Sequence, residues 1–163
     1  MTVPARFEVF VYGTLKRGQR NHERFCRGAL EVREVTACGR LYSLPFGFPG
    51  LVVPEENTLA VGTVDYLADA RATGRTAERP PGARHGWDEI HGELLTFDDP
   101  EERLPALDAL EGYRPGEHRF YKRVLIPVAP LEAEPTVLAW TYAAESASGV
   151  YLPGGRWPAG CDG

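Results

Sequence analysis

The chain has 163 residues, a formal net charge of −5, and a composition that is 43% hydrophobic and 10% aromatic. That length and apolar content suit one globular domain over residues 1–163, while the negative balance and the lack of a basic run exclude the electrostatic footprint of a nucleic-acid binder. No apolar stretch approaches the ~20 residues of a membrane-spanning helix and no apolar leader core stands near the start, so no membrane partner is expected and the chain reads as cytoplasmic.

The first element is Phe7 to Tyr12, F-E-V-F-V-Y, almost continuously apolar and rich in β-branched and aromatic residues. It is predicted to be a central strand buried on both faces. Gln19 to Gly28 reads as a short helix or turn ending in glycine. Further strands are predicted at Val32 to Leu44, Leu51 to Val53, Ala60 to Leu67, Ile90 to Phe97, Phe120 to Val128 and Thr136 to Ala143, each short and bounded by Gly or Pro. Between them, residues 69–88 are polar, rich in Gly, Pro and Arg, and aperiodic, which predicts a loop insertion, either a substrate lid or an ordinary surface excursion.

The clearest helix is "DDPEERLPALDALEG". Asp98 or Asp99 is placed to cap its amides, Pro100 suits the first turn, Leu104, Leu107 and Leu110 form an apolar stripe, and Gly112 is a natural stop. Pro105 is expected to interrupt it, dividing it into two short turns. Many short strands with few helices give an α+β class built on a small mixed β-barrel flanked by short helices, since closure removes exposed sheet edges.

Cys26, Cys38 and Cys161 form no spaced pair and read as reduced, and His22, His85, His91 and His118 lack zinc-ligand spacing. No metal and no cofactor is expected. Glu111 is the titratable residue whose position points to chemistry. At the last helical position it faces the negative end of the helix dipole, and partial burial there pushes a carboxylate's pKa upward, toward use as a general base. The alternative is a solvated helix end. Asp108, one turn earlier, reads as a surface hydrogen bonder or as a residue that helps fix the turn. Tyr12, Gly13, Thr14 and Leu15 follow the first strand as a turn whose backbone amides can form an anion cradle; a purely structural turn is the competing reading. Lys16 and Arg17 are candidates for steering an anion or a solvated corner. Tyr121 and Tyr142 read either as aromatic core or as pocket hydroxyls.

The order of these features, "VFVYGTLKRGQRNH", then "LDALEG" and "FYKRVLIPV", then "AWTY" and "GGRW", resembles the γ-glutamylcyclotransferase-like superfamily, also called AIG2-like. The form of the turn looks most like the γ-glutamylamine cyclotransferase branch. The resemblance spans most of the chain apart from 69–88, and the stretch Gly112 to His118 looks longer than in some members. It implies the family's small β-barrel and a 5-oxoproline-forming enzyme, of amidine-lyase or acyltransferase type, acting on a small γ-glutamyl substrate without a cofactor. It further implies Glu111 as the catalytic residue, a substrate-binding turn at Tyr12, Gly13, Thr14 and Leu15, and a contribution from Tyr142. A γ-glutamyl amino acid, a γ-glutamyl-protected metabolite, or simple anion binding without catalysis are the alternatives.

Overall fold

The computed structural model describes residues 5–77, 86–117, 120–131, 135–146 and 148–158. Eight strands are described: β1 (Phe7–Val11), β2 (Glu31–Ser43), β3 (Pro49–Val52), β4 (Ala60–Val61), β5 (Asp88–Phe97), β6 (Tyr121–Pro130), β7 (Val137–Ala144) and β8 (Val150–Leu152). Five of them close a barrel in the order β2-β5-β1-β7-β6, with β6 returning to β2 through Val35 opposite Pro130. The sheet is mixed because β1 runs parallel to β7, Val9 facing Trp140, whereas the other barrel pairs are antiparallel. β3 and β8 extend the long β2 as a second sheet, and β4 adds to β6.

The period-two alternation of β1 explains why it is apolar at every position but Glu8. Phe10 and, just past the strand, Tyr12 join Val35, Leu41, Ile90, Leu94 and Ile126 in the barrel interior. Phe7, Val9 and Val11 face outward into a second cluster with Phe97, Leu104 and Leu107, beneath the helices. Both faces of β1 are therefore covered.

Three short α-helices are described: α1 (His22–Phe25), α2 (Tyr66–Arg71) and α3 (Pro100–Glu111). α3 is continuous through Pro105, the sixth of its twelve residues, where the helix forgoes the bond an amide would have made to the Glu101 carbonyl. Asp99 precedes α3 without a side-chain cap, because its carboxylate is held by Arg103 at 3.1 Å instead. Gly112 ends the helix with φ 71°, and the Tyr113 amide donates to the Asp108 carbonyl at 2.8 Å. That left-handed residue closes the helix and fixes Glu111 at its rim.

Two predicted boundaries move. The strand expected over Ala60 to Leu67 stops at Val61, and Tyr66 to Arg71 folds as α2, with the Asp65 carboxylate accepting from the Ala68 amide at 3.1 Å. Asp69, taken as the start of a polar loop, is instead buried in α2. The cause is tertiary: its carboxylate accepts from the Thr63 amide and from the Arg123 guanidinium, at 2.8 and 2.9 Å. The rest of the 69–88 insertion falls partly on 78–85, outside the described residues. No described helix is long and apolar enough to cross a membrane. Cys26 and Cys38 are buried and joined in no disulfide, whereas Cys161, His85 and His118 lie outside the described residues.

Candidate functional site

A cavity of about 880 Å³ opens at one end of the barrel, and Tyr12, Gly13, Thr14, Leu15, Glu111 and Tyr142 all contribute to its wall. Three segments far apart in sequence thus meet there: the turn after β1, the end of α3, and β7. The phenol of Tyr12 donates to the backbone carbonyl of Tyr142 at 2.5 Å, tying the first segment to the third. The phenol of Tyr142 donates to the Asp108 carboxylate at 2.6 Å, tying the third to α3.

The turn uses its carbonyls and leaves its amides. Gly13 C=O accepts from the Lys16 amide at 3.1 Å, Thr14 C=O from the Asn21 amide at 3.0 Å, and Leu15 C=O lies 2.8 Å from His22 Nδ1. Among the described residues the N–H groups of Gly13, Thr14 and Leu15 have no acceptor. Adjacent unpaired amides beside a cavity suit an anion or a developing oxyanion. The Thr14 hydroxyl accepts from Asn21 Nδ2 at 2.9 Å, which leaves its own proton to donate.

Gly13 is required by space. A Cβ there would lie 2.6 Å from Pro49 Cγ, on the strand that forms the opposite wall. Gly13→Ala is therefore expected to displace the turn or Pro49 and to lower kcat/KM about 10²-fold, the size of one lost oxyanion donor. Adding Pro49→Gly should restore much of it; a double variant no better than Gly13→Ala would place the defect elsewhere.

Glu111 has no hydrogen-bonding or ionic partner among the described residues. Burial raises its pKa from 4.5 to about 7. Burial also raises the pKa of Tyr12 and Tyr142 well above that of an ordinary phenol; Tyr121 and then Glu111 add to the effect at Tyr12, and Asp108 adds to it at Tyr142. The site therefore holds one carboxylate that titrates near neutrality and phenols that remain protonated donors.

Asp108 is not at the surface. It is 3% exposed and grips the fully buried Arg123 in a fork, Oδ1 to Nε at 2.8 Å and Oδ2 to Nη2 at 3.2 Å. Arg123 also binds Asp69 and the Thr63 carbonyl, so one guanidinium joins β6, α2 and α3. Burial works against its charge, but the hydrogen bonds and charge of Asp108 outweigh that and hold it protonated. This cluster fixes the end of α3 from which Glu111 projects.

The two cations singled out in the sequence are engaged outside the cavity: Lys16 Nζ donates to the Trp157 carbonyl, and Arg17 pairs with Glu93 at 3.0 Å. The cation that lines the cavity is Arg20. Phe46, Phe48 and Phe120 also line it and were missed. For Phe46 and Phe48 a signal was present in "LPFGFPG", where two phenylalanines sit in a Gly/Pro turn. Among the described residues no group of His, Cys, Asp and Glu is placed to hold a metal ion.

The model of the family described as "Gamma-glutamyl cyclotransferase, AIG2-like" matches residues 9–78 and 66–159. A curated relative, the gamma-L-glutamyl-butirosin B gamma-glutamyl cyclotransferase of Niallia circulans, is 30% identical over 136 residues; the match covers 82% of this chain and 64% of that protein's length. Among solved structures, an AIG2-like protein from Mus musculus superposes with a TM-score of 0.53 at 21% identity, covering 88% of this chain and 80% of that one. YkqA from Bacillus subtilis gives a TM-score of 0.56 at 19% identity, covering 93% of this chain and 39% of that one, and both structures share the barrel fold. With a family match that runs from β1 past β8 and a barrel shared with these structures, the chain belongs to the gamma-glutamyl cyclotransferase, AIG2-like family.

Proposed function

We propose that the chain is a γ-glutamyl cyclotransferase that closes the γ-glutamyl group of a γ-glutamyl amine into 5-oxoproline and releases the free amine. The observation that carries this reading is one cavity holding both an unpaired carboxylate that titrates at about 7 and a turn with free amides. The family match supports the reaction class, and the form of the Tyr12 to Leu15 turn supports the amine branch.

In this reading the nucleophile is the substrate's own α-nitrogen, so no Ser-His-Asp or Cys-His set is needed. Glu111 as carboxylate takes a proton from the α-ammonium. The freed nitrogen attacks the γ-carbon, a new C–N bond forms, and the carbonyl electron pair moves onto oxygen, where the amides of Gly13, Thr14 and Leu15 stabilise it or hold the α-carboxylate. Collapse breaks the bond to the leaving nitrogen, which takes that proton from Glu111; the freed carboxylate then takes the second proton from the new ring nitrogen and passes it to the departing amine. The released amine ends protonated as the substrate's was, so the reaction balances without a net proton. The cavity folds the γ-glutamyl chain so that nitrogen and carbonyl meet, removing much of the entropic cost of ring closure.

The test is turnover of a γ-glutamyl amine, a γ-glutamyl amino acid and glutathione, read as 5-oxoproline and free amine. Equimolar release of both from the γ-glutamyl amine is expected. Absence of 5-oxoproline from all three overturns the reaction, and release from glutathione alone overturns the amine branch.

A further inference from the structure

One wall of the cavity is aromatic. The turn that joins β2 to β3, closed by a bond from the Leu44 amide to the Phe48 carbonyl at 3.0 Å, carries Phe46 and Phe48 with their rings stacked, centroids 6.0 Å apart and planes at 21°. Phe48 lies 6.3 Å from the ring of Tyr121, and Tyr121 meets Phe120 edge to face at 4.8 Å. Four rings thus run in series along the cavity lining, with the exposed Phe46 and Phe120 at its two ends and the buried Tyr121 between them. Phe46 is 76% exposed and Phe120 47%, although both line a concave site. Two large apolar side chains left open to water in a concavity are covered favourably by an apolar ligand, and rings favour other rings, offset or edge-on.

Size and charge narrow what that ligand is. A volume of about 880 Å³ is in the range that drug-sized ligands fill, far more than a γ-glutamyl group alone occupies. The charged residues on the described lining are Glu111, committed to proton transfer, and Arg20. Arg20 leans on the same aromatic turn, its guanidinium 3.6 Å from where a Cβ on Gly47 would lie. An amine half that carries further ammonium groups would therefore meet a cation and no spare carboxylate among the described residues, a like-charge arrangement that rejects it.

We propose that the Phe46, Phe48, Phe120 and Tyr121 wall is the recognition site for the amine half of the substrate, and that this half is an aryl or arylalkyl amine rather than a small alkyl amine or a polyamine. The inference rests on the cyclotransferase reading and adds the substrate class. The α-amino and γ-carbonyl groups lie at Glu111 and the Tyr12 turn, and the departing amine lies along the rings toward the mouth, where it leaves directly into solvent.

The experiment compares γ-glutamylbenzylamine, γ-glutamylmethylamine and γ-glutamylputrescine as substrates, by 5-oxoproline release, and as ligands of the Glu111→Gln protein, by calorimetry. The benzylamine substrate is expected to have a kcat/KM at least tenfold above each of the others, mainly through a lower KM, and to bind correspondingly tighter. In Phe46→Ala, whose side chain is largely exposed and dispensable for folding, the benzyl-to-methyl ratio should fall toward one. Equal turnover of the three, or preference for the putrescine conjugate, overturns the aromatic site and leaves the cyclotransferase reading intact. If no substrate yields 5-oxoproline, the cyclotransferase reading falls; tighter binding of the benzyl compound then still supports the aromatic site, and equal binding overturns that too.

Discussion

Replacing Glu111 by Gln is expected to leave the fold intact and to remove between ~10² and ~10⁴ of the rate, the range a positioned general acid–base supplies. The glutamine keeps the shape of the side chain but can neither take the proton from the α-ammonium nor return it to the leaving nitrogen. In the wild type, kcat/KM should climb with pH through about 7, because the carboxylate must be ionised to act and burial holds its pKa there. The variant should lack that limb. Stability moves the other way. With a folded pKa of about 7 against an ordinary 4.5, the native state binds the extra proton between those values, so the wild type loses stability as pH rises through that window. Above about pH 7 the Gln variant should therefore melt at or above the wild-type temperature, and the gap should close on acidification. Measurement of 5-oxoproline release and of melting at both ends of the window tests the two halves together. Wild-type-like turnover by the variant would sink the role given to Glu111.

The second large effect is expected at Arg123. Removing its guanidinium, as in Arg123→Met, strands the buried carboxylates of Asp108 and Asp69, and breaking one side of such a cluster costs ~3–5 kcal/mol. For a chain of this size that is a fall of roughly 10 °C in Tm, measurable by thermal melting. Neutralising the orphaned acids as well, in Arg123→Met with Asp69→Asn and Asp108→Asn, should recover a large part of it, because the penalty lies in the uncompensated charges and not in the loss of attraction. A triple variant no more stable than the single one would show that the guanidinium's packing against Trp140, 5.0 Å from its ring centroid, is what matters.

The elements that the sequence revealed are those with local causes. β1 announces itself through residues that must be apolar on both faces, α3 through its proline start and glycine stop, and Glu111 through its place beside that stop. The Arg123 cluster was illegible because its bonds join residues 15 and 54 positions apart, and an arginine within "YKRVLIPV" looks like any solvent-facing residue of a strand. The same long-range bond ended the predicted strand at Val61: the Gly62 backbone lies against the guanidinium, and Asp69 is drawn into α2 to meet it. Local propensity had no access to either fact. The aromatic lining was legible only in part: Phe46 and Phe48 stand in the Gly/Pro turn "LPFGFPG", whereas Phe120 opens an apolar strand run and reads as core.

The parallel contact between β1 and β7 has a kinetic consequence. Val9 cannot meet Trp140 until nearly the whole barrel has been synthesised, so the loop that closes is among the longest the chain permits. Such non-local closure is slow compared with forming a hairpin such as β6–β7. The Tyr12 turn and the Tyr142 carbonyl it bonds are brought together by that same event. A nascent chain that ends before β7 therefore has the turn and the glutamate but no cavity between them, and the site forms as one of the last acts of folding.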